Sequence, residues 1–194
     1  MQDSPDLDVI GLDALNLDLL DPDLNTANLN SPFPEAPAPD LRQKFLRFQV
    51  CPQNSALLAV EQIAAVVPIG ISDILPVPQM PTCVLGLYNW RGEMLWLVDL
   101  SCQIGFPSLF AANTALSNLM AIVVQVAGQS LGFVVRQVHD IERHDPEQIQ
   151  SPIAERLPPQ LLPFVQGSLS NDQTIVLNGS ALLQAPVLQV HSLH

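Results

Sequence analysis

Imidazoles and carboxylates crowd together once in this sequence, at His139, Asp140, Glu142, His144 and Asp145. Side chains of these types can ligate a divalent metal. The two histidines are five residues apart, the wrong interval for one helix face, and the stretch reads as a loop. No second group completes four ligands, so no metal is assigned. Cys51, Cys83 and Cys102 form no CxxC pair and have no histidine at ligand spacing. They read as small buried apolar side chains in a reducing compartment. A phosphate-cradling glycine loop, a nucleophile elbow and an HExxH helix are all missing from the sequence. Glu61 and Asp73 stand isolated, as solvated charges rather than a general acid/base pair. No catalytic residue and no cofactor is expected.

The chemistry that remains is recognition. Arg91 lies in Asn89-Trp90-Arg91-Gly92, between two apolar runs. A guanidinium is planar, permanently charged and able to bond a carboxylate or backbone carbonyls bidentately. Arg91 therefore reads either as a partner contact or as an internal strut tying its turn to a neighbouring loop. Trp90 reads either as an exposed interface anchor or as filler beneath the turn.

These residues need a hairpin to hold them. Val84 to Tyr88 suits a pleated, buried surface, and Met94 to Leu100 is apolar up to Asp99 without alternation, so both its faces should be covered. Gly92 can supply the positive φ of a tight reversal. Upstream, residues 44–50 alternate, with Phe45, Arg47 and Gln49 on one face and Leu46, Phe48 and Val50 on the other. Ala56 to Val60 returns as a second strand, and Ile63 to Val67 continues until Pro68 and Gly70 stop it. The prolines of residues 74–81 force an extended connector packed by Ile74, Leu75 and Val77. Asp99 or Ser101 caps a helical turn over Ser101 to Gly105. Downstream, Leu119 to Ala127 and Leu131 to Val138 form another strand pair, and a loop runs from His144 to Pro159. A last pair, 164–169 and 174–177, precedes Asn178, which either caps a short helix or forms an Asn-Gly hairpin turn. Many short strands and few helical patterns predict an all-β fold with minor α.

The order Gly86, Asn89, Arg91, Gly92, Asp99, Leu100 within a strand–turn–strand resembles the mid-domain signature of the chemotaxis coupling proteins, the CheW-like adaptor family. Leu131-Gly132-Phe133-Val134-Val135, Asp140-Ile141, Gln166-Gly167-Ser168-Leu169 and Ile175-Val176-Leu177 match in the same order, so the resemblance runs from about Gln43 to Ala185. It implies two small five-stranded SH3-like β-barrels plus short helices, meeting near residue 110 within a domain of residues 41–187, with residues 188–194 as a tail. It also implies an adaptor coupling the cytoplasmic tip of a methyl-accepting chemoreceptor to the regulatory domain of a CheA-type histidine kinase, in a pathway controlling chemotaxis, phototaxis or pilus motility. Partner contacts implied on this chain are Arg91, Trp90, Asn89, Gly86, Ile63, Val66 and Asp99, with core packing the alternative for Ile63 and Val66. Four positions depart from the family pattern, Trp90 among them, where a smaller aliphatic residue is usual. Arg136 and Asn178 stand where an acidic residue is usual, and Ala65 where a Glu is common. A regulatory decoy, binding the kinase and blocked by its own acidic tail, is the alternative within the same fold. An unrelated small-barrel enzyme is the alternative outside it.

The chain of 194 residues carries a net charge of −12, unevenly spread. Residues 1–42 hold nine acidic residues and one basic, a net −8; residues 43–194 hold ten and six, a net −4. Such a chain repels phosphate backbones and anionic membranes, so neither nucleic acid nor direct membrane insertion is expected. Residues 1–40 are acidic and end Pro-rich, a composition that predicts a disordered tail. Within them Leu12, Leu15, Leu19 and Leu20 fall at helical spacing, either as a docking helix or as part of a solvated spacer. The acidic N-terminus has no basic stretch before an apolar run, and no apolar run reaches about 18 residues. The expected location is cytoplasmic.

Overall fold

The computed structural model describes residues 41–110, 119–152, 157–169 and 174–185. The leucine motif at Leu12, Leu15, Leu19 and Leu20 lies outside them. Eleven strands and two short α-helices are described, with single 3-10 turns between them. The chain opens with the hairpin β1 (Gln43–Cys51) and β2 (Asn54–Ala59), followed by β3 (Ile63–Ile69). After the connector come β4 (Val84–Trp90), β5 (Glu93–Asp99) and α1 (Leu100–Gln103). Then follow β6 (Leu119–Val126), β7 (Gln129–Val135), β8 (Gln137–His144) and the two-residue β9 (Ile149–Gln150). β10 (Val165–Leu169), β11 (Ile175–Leu177) and α2 (Gly179–Leu183) close the domain.

The strands form two mixed sheets, ordered β8-β1-β2-β11-β10-β9 and β3-β6-β7-β5-β4. Each contains one parallel pair, β11 with β2 and β5 with β7. The fold class is all-β with minor α, as expected. The expected division near residue 110 needs correction. The five-stranded sheet takes β3 to β7, on both sides of that point, and the six-stranded sheet joins the first two strands to the last four. Periodicity marks strands, but it does not say which edges they join.

Apolar runs without alternation follow from this layering. The main core draws Phe48, Val50 and Leu58 from one sheet, Val98, Ile122, Val124 and Phe133 from the other, and Leu182 from α2. The far face of the five-stranded sheet has its own cluster, including Leu95, Leu97, Ala121, Val123 and Val134. A smaller cluster, with Phe45, Leu57, Leu169 and Val176, covers the other face of the six-stranded sheet. Successive residues of β6 thus enter different cores, and Leu57 and Leu58 do the same in β2.

Three local expectations change. β3 runs through Pro68, which an edge strand tolerates because its outward N–H needs no partner. The run from Leu131 to Val138 breaks at Arg136, where the chain leaves the five-stranded sheet and enters the other as β8. Residues 139–144, expected as a loop, are most of that strand, because β1 offers its free edge to them. In the connector Ile74 packs against a core, but Leu75 is 59% exposed.

Candidate partner-binding surface

The turn between β4 and β5 is a two-residue loop. Arg91 (φ 55°) and Gly92 (φ 88°) both have positive φ, the type I′ geometry whose twist matches paired strands. Asn89 holds it, its Oδ1 accepting the Gly92 N–H at 3.0 Å. Arg91 is exposed, and its guanidinium carbon lies 4.9 Å from the Trp90 ring centroid. A cation–π contact of this kind is worth about 0.5–1 kcal/mol at an exposed site, enough to bias the side chain without locking it. Among the described residues Arg91 has no hydrogen bond or ion pair, so nothing there supports the strut reading. Trp90 combines its two readings. It packs its inner side against the cluster of Leu95 and Leu97 and offers the rest to Arg91.

Cross-strand pairing puts Leu87, Asn89, Met94 and Trp96 on one face of this hairpin. Leu75 joins them by exchanging both backbone hydrogen bonds with Leu87, at 2.8 and 2.9 Å. Trp96 packs toward the main core, while Met94 is 55% exposed. An apolar surface thus continues from the core toward the tip that carries Arg91.

Ile63 and Val66 lie on edge strand β3, both half-buried against the main core. A bulge between Ile63 and Ala65 puts them on one side, while Ala65 and Val67 turn to the second cluster. Both therefore contribute to packing while lining a sheet edge.

Two expected contacts lie inside instead. Asp99 is fully buried. Its Oδ1 accepts the Cys102 N–H at 3.2 Å, capping α1, and its Oδ2 accepts from Ser108 Oγ at 2.7 Å and the Leu109 N–H at 2.8 Å. The carboxylate ties the helix to the following loop and cannot meet a partner directly. Gly86 is buried at φ 142°, beside a bulge between Val84 and Gly86. A Cβ there would overlap the Leu75 carbonyl oxygen. Glycine is needed so that the connector can lie against β4. Asn178 settles as a cap, accepting the Ala181 N–H at 3.1 Å.

Sequence reading missed a polar cluster on the six-stranded sheet. Arg47 donates to both oxygens of Glu142, at 2.5 and 3.1 Å, and to Thr174 Oγ1 at 2.9 Å. His144 Nε2 lies 2.7 Å from the same Glu142 carboxylate, and its ring is tilted against Phe45. The Arg47 hydrogen bond, with help from His144, holds the Glu142 carboxyl below its ordinary value, outweighing partial burial. The signal available in sequence was the i, i+2 spacing of Glu142 and His144, which places both on one strand face. His139 is not among these contacts, and among the described residues no three histidines, cysteines or carboxylates converge as metal ligands. Cys83 is buried and Cys102 half-buried. Burial pushes the Cys83 thiol up, with Cys102 nearby adding to it, and burial followed by Asp99 pushes Cys102 up. Both favour the unreactive thiol form.

This arrangement presents a tight hairpin whose cation has no hydrogen bond or ion pair among the described residues, next to apolar surface, on a two-sheet domain. Known proteins share the domain. A model of the CheW-like domain matches residues 44–187, well over half of the chain. The chemotaxis protein CheW of Rhizobium meliloti (strain 1021) is 33% identical over 101 residues, which cover 51% of this chain and 59% of that protein. The match thus spans less than two thirds of that relative's length. The crystal structure of scaffolding protein TtCheW from Thermoanaerobacter tengcongensis superposes with a TM-score of 0.58, covering 71% of this chain and 88% of the other at 22% identity, and shares its fold. Among the described residues no helix is long and apolar enough to cross a membrane. Matched in sequence across its two sheets and in backbone to a solved scaffold, the chain belongs to the CheW-like domain family.

Proposed function

We propose that this chain is a non-catalytic cytoplasmic adaptor that couples a methyl-accepting chemoreceptor to a CheA-type histidine kinase. Family membership supplies the class: a chemotaxis scaffold. The observation that carries the finer reading is Arg91, an exposed guanidinium on a type I′ turn with no hydrogen-bond or ion-pair partner among the described residues. A cation held at a rigid tip, next to exposed Met94 and half-buried Trp90, suits a partner offering a carboxylate beside apolar side chains. The half-buried Ile63 and Val66 on edge strand β3 suit an apolar helix laid along that edge. One surface then serves the kinase regulatory domain and the other the receptor tip.

The test is calorimetric titration of the chain with the regulatory domain of the CheA-type kinase from the same organism. Wild type should bind saturably, and Arg91→Ala should weaken binding about ten-fold or more, the worth of a charge-assisted hydrogen bond. Among the described residues Arg91 has no hydrogen bond or ion pair and only its contact with Trp90, so its removal should lower the melting temperature by no more than about 2–4 °C. Equal affinity of wild type and Arg91→Ala would remove the hairpin tip from the interface. No binding by either would end the coupling reading.

A further inference from the structure

A cavity of about 220 Å³, lined by no residue of the β4–β5 hairpin, lies where the β1–β2 turn, the start of α1, the segment 107–109 and the β7–β8 junction meet. Val50, Pro52, Pro107 and Leu109 make its wall predominantly apolar. Three of its polar side chains already donate hydrogen bonds: Gln49 to the Pro52 carbonyl, Ser101 to the Val50 carbonyl and Ser108 to Asp99. Arg136 differs. It lines the cavity half-buried and makes no hydrogen bond or ion pair among the described residues.

We infer that this cavity is a docking site for a protein segment in which an aliphatic side chain is flanked by a carboxylate. The aliphatic group fills the apolar wall and the carboxylate pairs with Arg136. Volume and charge both point to this occupant. The space admits one branched side chain and its neighbour rather than a drug-sized ligand, for which pockets of about 300 Å³ upward are usual. A single uncommitted cation in an apolar wall selects for one negative charge beside hydrocarbon, because a guanidinium released from water needs an anionic acceptor to recover its hydrogen bonds. A free small molecule would find only that one charged group, whereas a peptide adds flanking contacts beyond the cavity. The break that ends β7 is what brings the guanidinium here. Arg136 sits between the two sheets, where the chain turns from β7 into β8.

The test uses the full chain and a fluorescein-labelled, end-blocked peptide of aspartate and leucine, followed by anisotropy and by amide chemical shifts in the NMR spectrum. Saturable binding is expected, with shifts centred on residues 49–52, 101, 107–109 and 136. Arg136→Gln should weaken binding about ten-fold, and asparagine in place of aspartate in the peptide should do the same. Arg91→Gln should leave the shifts at these residues unchanged, which separates this site from the hairpin tip. Any one of three results overturns the inference: no saturable binding, shifts elsewhere only, or undiminished binding by an Arg136→Gln chain that melts like wild type. If isovalerate, an unattached aliphatic carboxylate, binds as tightly as the peptide, the site takes a small molecule and the segment reading is wrong.

Discussion

Replacing Asp99 by alanine removes three acceptor contacts at once from a residue with no exposed surface. Ser108 is able to turn its hydroxyl to another acceptor, but two backbone donors have no such freedom. The Cys102 N–H loses its helix cap, a change typically costing about 1 kcal/mol. The Leu109 N–H is left buried without an acceptor, at about 1–3 kcal/mol. Together with the void, Asp99→Ala should lose about 3–4 kcal/mol, a large part of the roughly 5–15 kcal/mol that holds most domains folded. Asp99→Asn distinguishes geometry from simple bulk. Its single carbonyl can keep Ser108 and Leu109, while its amide then faces the Cys102 N–H, donor against donor. The expected loss is about 1–2 kcal/mol, chiefly the cap. Urea unfolding followed by circular dichroism measures both, with an unchanged denaturant slope showing that the folded and unfolded states remain comparable. If Asp99→Ala lost less than about 1 kcal/mol, or if asparagine cost as much as alanine, the argument that this carboxylate is an internal tie would fail.

Gly86→Ala should cost at least about 2 kcal/mol by thermal or urea unfolding, since the new methyl meets the Leu75 carbonyl and φ 142° is unfavourable for an L side chain. A neutral result would show that the connector does not press on β4. Glu142 has its folded pKa depressed by Arg47 and His144, so its stabilisation is fully present above the unfolded carboxyl's ordinary 4.5 and is lost as pH falls through the lower folded value. Glu142→Gln should therefore narrow its deficit relative to wild type as pH drops below 4.5, read from melts between pH 7 and 3, and a constant deficit would refute the pairing. Cys83 and Cys102, with thiols raised by burial, should alkylate with iodoacetamide at neutral pH more slowly than free cysteine, as read by mass spectrometry of tryptic peptides.

Local features of this domain were legible in the residues themselves. Gly92 between two apolar runs specified the hairpin, because a tight reversal needs a residue that accepts positive φ. The unalternating stretch of β5 announced a strand covered on both faces. Asn178 offered a helix cap or an Asn-Gly turn, and the cap formed, its side chain reaching a backbone N–H three residues ahead. The ordered pattern from Gly86 to Leu100 carried the family.

Tertiary structure decided what depends on distant partners. Periodicity is a property of one strand, whereas sheet order depends on which edge another strand leaves free. That is why β8, with its histidines and carboxylates, read as a loop until β1 supplied its edge. The same reason hid the Arg47–Glu142 pair, whose members are 95 residues apart. It also turned Asp99 and Gly86 inward. A carboxylate ending a strand looks alike in sequence whether it faces a partner or its own helix. Only the arrival of Cys102, Ser108 and Leu109 around Asp99 made it internal. Arg91 kept its exposure for the opposite reason: its turn projects beyond the packed strands, and no described neighbour reaches it with a carboxylate or carbonyl.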